Sequence, residues 1–162
     1  MWLKVAGGVG LGAALLAAGI AAAAEVQMHK RVGDIHGAGG IDVYYGLAPA
    51  KAAAKHPRQH TEGAMHGGPP RGRDSYHLTV TLKDAASGKY IEDARVAATV
   101  RELNTAGKRK KLEPMRIDGT MTYGNYFVMK GEGPYRIDVS VTLPGAAKPV
   151  EASFEHKMPA RP

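Results

Sequence analysis

His60-Thr61-Glu62-Gly63-Ala64-Met65-His66 places two imidazoles, a carboxylate and a thioether within seven residues, with Gly67-Gly68 and Pro69-Pro70 directly behind. Imidazole suits copper, iron or zinc, carboxylate suits harder ions, and thioether favours soft Cu(I). The glycines and prolines exclude a long regular element, so these side chains sit on a loop. Such a loop reads as a metal lip, and its composition equally describes a solvated, His-containing linker. Four of the seven histidines, His56, His60, His66 and His77, fall in this one region. Further along, Met115 and Met121 flank Asp118-Gly119. Met115 has core packing as its ordinary role, and His77 that of an outward-facing strand histidine.

Other chemistries find little footing. No nucleophile elbow, Walker loop, dinucleotide fingerprint or HExxH motif is present. Ser75, Ser87, Ser140 and Ser153 lack a neighbouring His/Asp pattern. The pair Glu92-Asp93 reads as solvated charge. With no cysteine in the chain, thiolate metal sites, disulfides and a Cys nucleophile are all excluded. The expectation is therefore a protein that is not an enzyme.

The elements that must hold these residues are strands. Ile41 to Gly46 carries β-formers and reads as a first strand. Leu47 to Lys55 is alanine-rich enough for one helical turn, which His56-Pro57 stops. From Asp74 onward the pattern has period two: Tyr76, Leu78, Val80 and Leu82 share one face, and His77, Thr79 and Thr81 the other. Further strands are expected over 94–101, 110–117, 120–129, 135–143 and 150–156. In 135–143 Val139 and Val141 point inward, and Ser140 points outward. About seven short strands separated by Gly/Pro turns imply an all-β, Ig-like antiparallel β-sandwich. Lys108-Arg109-Lys110-Lys111 follows Gly107 and reads as a solvated hairpin tip.

Residues 1–24 have the pattern of a secretory signal peptide: a positive start at Lys4, an apolar run over Val5 to Ile20, and Ala22-Ala23-Ala24 before Glu25. The apolar run is also long enough to serve as an uncleaved anchor. Residues 25–40 read as a flexible arm. The β domain covers 41–157 with the ligand-rich loop at 56–73, and 158–162 form a tail. The net charge of +7 in an exported chain points to an anionic membrane surface or an acidic partner, not to nucleic acid.

Taken together, several segments resemble the periplasmic iron-transport-associated proteins, a family of small copper- and iron-binding β-sandwiches that work beside an inner-membrane iron permease. Ile41 to Ala50 resembles the family's first strand, and His60-x-Glu62-x-x-x-His66 has the spacing of its H-x-E-x-x-x-H segment. Tyr76-His77-Leu78-Thr79-Val80 resembles the strand that follows. Glu113-Pro114-Met115, Asp118-Gly119, Tyr123-Gly124-x-Tyr126 and Gly133-Pro134-Tyr135-Arg136 resemble its later blocks. There are departures. The family's His before Tyr-Gly is Thr122 here, Met115 and Asp118 are one residue closer, and the late His-bearing loop is reduced to Leu143-Pro144-Gly145-Ala146. The chain also resembles YtkA-like exported β-sandwich modules.

The resemblance implies a copper or iron ion bound by Glu62, His66 and Met115, with His60 and Asp118 in support; His77, one of the clustered histidines, is a further candidate ligand. The implied partners are that metal ion, an inner-membrane permease or membrane complex, and a second copy of the chain. The competing expectation is an adhesion, assembly or membrane-complex module without metal.

Overall fold

The computed structural model describes residues 28–33, 40–53, 68 and 70–159. The signal-like segment 1–24 and the loop residues His60, Glu62 and His66 lie outside the described residues. The described residues form eight strands: β1 (Met28–Val32), β2 (Ile41–Pro49), β3 (Ser75–Asp84), β4 (Arg95–Glu102), β5 (Lys108–Ile117), β6 (Thr120–Val128), β7 (Tyr135–Thr142) and β8 (Val150–His156). A single helical turn, α1 (Ala50–Ala53), follows β2. Among the described residues no helix is long and apolar enough to cross a membrane.

The expected all-β architecture is what folds, but it is built as one sheet bent over on itself. Its strand order is β1-β2-β3-β6-β5-β4-β7-β8, with every pairing antiparallel. The corner is β5. Its first half pairs with β4 up to Val96↔Leu112, and its second half pairs with β6 from Glu113↔Gly124 onward. Pro114 stands just past the switch. It has no N–H to give to a strand on the β4 side, so the ladder ends there without an orphaned donor.

Alternation sets the core. Val43, Tyr45, Leu78, Val80, Leu82, Val96, Leu112, Tyr123, Ile137, Val139 and Val141 face inward and are buried. The two ends of the sheet nearly meet. Lys30 Nζ donates to the Ser153 carbonyl at 3.2 Å, and Tyr45 Oη lies 3.0 Å from His156 Nδ1. The Tyr45 ring packs edge-on against Phe154, with centroids 4.8 Å apart.

Three boundaries differ from expectation. The arm at 25–40 carries β1, which covers the outer edge of β2; its charged residues fit an edge strand and hide the period-two signal. Residue 158 does not belong to a loose tail, because Met158 is buried in the core and its N–H bonds Glu132 O at 3.0 Å. Lys108-Arg109-Lys110-Lys111 is not a hairpin tip but the start of β5. Lys110 is the register partner of Ala98 and shares its face of the sheet, donates to the Tyr126 carbonyl, and its Nζ lies 5.3 Å from the Phe127 ring centroid. Burial, helped by the neighbouring charge of Lys108, lowers the pKa of its ammonium.

Candidate functional site: a thioether and an imidazole over a bare glycine

The outer face of β2, β3, β6 and β5 carries the chemistry. Because side chains alternate, the inward residues Leu78, Val80 and Tyr123 leave His77, Thr79 and Thr81 of β3, and Thr122, Gly124 and Tyr126 of β6, on the opposite face. Register then sets the neighbours. His77 pairs with Tyr126, Thr79 with Gly124, Gly124 with Glu113, and Thr122 with Met115.

Gly124 is the floor of the arrangement. A Cβ built on it would fall 2.7 Å from His77 Nε2, 2.7 Å from the Met115 methyl and 3.1 Å from Leu78 O. An imidazole nitrogen and a thioether arm therefore close over the same patch of bare backbone. Both side chains are 3% exposed. Tyr126 steadies the imidazole, with its ring centroid 4.7 Å from that of His77 and the planes tilted by 33°. Asn125 accepts the Tyr126 N–H at 2.8 Å and donates to Lys111 O at 2.8 Å, which fixes the strand beside the cradle.

A cavity of about 400 Å³ adjoins this cradle, lined among others by Tyr44, Thr79, Thr81, Lys83, Tyr90 and Thr122. Thr81 Oγ1 and Thr122 Oγ1 are 3.4 Å apart, and Thr79 donates to Gly46 O at 3.4 Å.

The candidate ligands read from sequence divide as follows. His77 and Met115 are brought together. Asp118 is exposed at the β5–β6 turn, with a φ of 47°, and is one of the residues lining the cavity. His60, Glu62 and His66 lie outside the described residues. Among the described residues, no three His, Asp or Glu side chains converge as a metal cluster. The donor pair itself, one borderline nitrogen and one soft sulfur in a dry cradle, fits copper better than a hard ion.

Sequence reasoning passed over Gly124, Tyr126 and Glu113 as parts of the site. Glu113 shares a face with Met115 by simple alternation, so that signal was present. Gly124 becomes meaningful only once β3, β6 and β5 are known to be adjacent.

No family profile and no curated protein matches the chain. Solved structures do match its fold. A DUF4426 family protein from Pseudomonas aeruginosa PAO1 is 19% identical with a TM-score of 0.56, covering 83% of this chain and 97% of its own. A copper-bound variant of FetP from uropathogenic Escherichia coli strain F11 is 14% identical with a TM-score of 0.58, covering 82% and 97%. The copper-reconstituted P19 protein of Campylobacter jejuni is 17% identical with a TM-score of 0.58, covering 86% and 99%. The fold is thus one that copper-binding proteins use, in keeping with the distant resemblance carried by the sequence motifs.

Proposed function

We propose that this chain is an exported copper-binding protein of the periplasm, that it is not an enzyme, and that it serves as an accessory to a metal-handling membrane complex. The convergence of His77 and Met115 over Gly124 carries the reading. In a chain without cysteine, thioether is the soft donor that remains, and a buried thioether beside a buried imidazole suits Cu(I). In this reading Glu62 and His66 supply the harder donors, with His60 in reserve, so that the set tolerates Cu(II) as well. Copper is favoured over iron because the described half of the site is its soft half. Two of the structures that share the fold, FetP and P19, are copper-bound. Export rests on the positive start, apolar run and Ala-x-Ala pattern of residues 1–24.

When bound, the copper would supply a redox-active, exchangeable charge, and the protein's own part is to hold it. Gly124 leaves room for both ligands, Tyr126 orients the imidazole, and burial excludes water. Metal analysis of untagged protein taken from its native compartment tests the proposal. Stoichiometric copper is expected. Metal-free protein that also fails to take up Cu(I) would overturn it in favour of a non-metal assembly module.

A further inference from the structure

From the cavity beside the cradle we infer a second binding site, for a small hydroxycarboxylate anion. It stands independently of the copper reading. The cavity, about 400 Å³, is far larger than a bare ion needs, and lies in the range of small-molecule pockets. Its positive charge is Lys83. The ammonium lies 4.8 Å from the Tyr90 ring centroid and 5.6 Å from that of Tyr44, so two aromatic faces hold it in place. Asp42, its register partner on β2, is held by Arg31 through two hydrogen bonds of 2.7 and 2.9 Å. The cation is therefore pre-positioned, which lowers the ordering cost of binding an anion.

The rest of the lining chooses among anions. Thr79, Thr81 and Thr122 set hydroxyls along the floor, and each hydroxyl can donate or accept. Asp118, which also belongs to the lining at the β5–β6 turn, is acceptor-only when ionised. A simple oxyanion satisfies Lys83 but is repelled at Asp118. A molecule with a carboxylate for Lys83 and a hydroxyl that donates to Asp118 satisfies both residues. The Thr hydroxyls then meet the polar body between them.

The test is calorimetric titration of the full-length mature protein, stripped of metal, with citrate as the probe. Lys83→Met keeps the stem and deletes the charge, and is expected to weaken citrate binding about tenfold or more. Lys83→Arg should keep most of the affinity, and Lys148→Met, an exposed residue of the β7–β8 turn outside the cavity lining, should change nothing. Lys83 is only half-buried on the outer face, so the variant is expected to fold, and its melting temperature checks this. Met115→Leu should leave citrate binding intact while weakening Cu(I), which separates this site from the copper site. Absence of citrate binding, binding indifferent to Lys83→Met, or inorganic phosphate binding as tightly as citrate would overturn the inference.

Discussion

His77 Nε2 and the Met115 methyl each lie 2.7 Å from the point where a side chain on Gly124 would begin, so the two are at most twice that distance apart. They come from strands on either side of β6 and meet because β6 offers no side chain at that row. Gly124→Ala is the direct probe. The new methyl would sit too close to both ligands and must displace them. Overpacking of this kind costs about 1–3 kcal/mol. A lowered melting temperature is expected, together with a loss of Cu(I) affinity measured by chelator competition. Unchanged stability and unchanged affinity would show that the cradle is looser than described.

The register of β7 gives a second test. Val141 is fully buried against Val96 and Val150, and Val141→Asp would place an unpaired charge in the core. No soluble protein is expected from that variant. Thr142→Asp, half-exposed and opposite Arg95, should express normally. Similar yields from both would mean that the inward face is misassigned.

Stability should also depend on pH through His156. Burial lowers its pKa in the folded protein below 6.5. In the unfolded chain it titrates near 6.5. The unfolded state therefore binds more protons below that pH, and stability falls as the pH drops from about 6.5 through the lower folded-state pKa. Denaturant titrations of metal-free protein at a series of pH values should show this fall, and His156→Gln should flatten it. Tyr45→Phe removes the hydroxyl that meets His156 Nδ1 at 3.0 Å, and losing a buried partner costs about 1–3 kcal/mol. Equal slopes in the wild type and His156→Gln would place the pH response elsewhere.

Most of the fold was legible because alternation is a local signal. Tyr76 to Leu82 and Tyr135 to Thr142 declare their inward faces without help from the rest of the chain. The signal weakens where a strand is charged or bent. Met28–Val32 is an edge strand with Lys30 and Arg31 in it, and Lys108–Ile117 turns a corner that only its two pairing partners reveal. Alternation also cannot say what covers the outer face. Ser140 points outward as expected, yet it is 3% exposed, so it is a poor site for a tolerated charge. The site was half-legible for the same reason. His77 and Met115 could be named by type, but their meeting depends on the strand order β3-β6-β5, which is a property of long-range pairing.

X-ray absorption at the copper edge, on protein loaded with one equivalent of Cu(I), asks most directly whether Met115 is a ligand. With no cysteine in the chain, a sulfur neighbour of copper has to be a methionine. A sulfur shell is expected in the wild type, together with nitrogen scattering from imidazole. Met115→Leu keeps nearly the same volume and should cost less than about 1.5 kcal/mol in stability, so its fold is preserved while the sulfur is deleted. The sulfur shell should then vanish, and the imidazole signal should remain. A wild-type spectrum with only nitrogen and oxygen neighbours, or a sulfur shell that survives Met115→Leu, would contradict a copper site built on His77 and Met115.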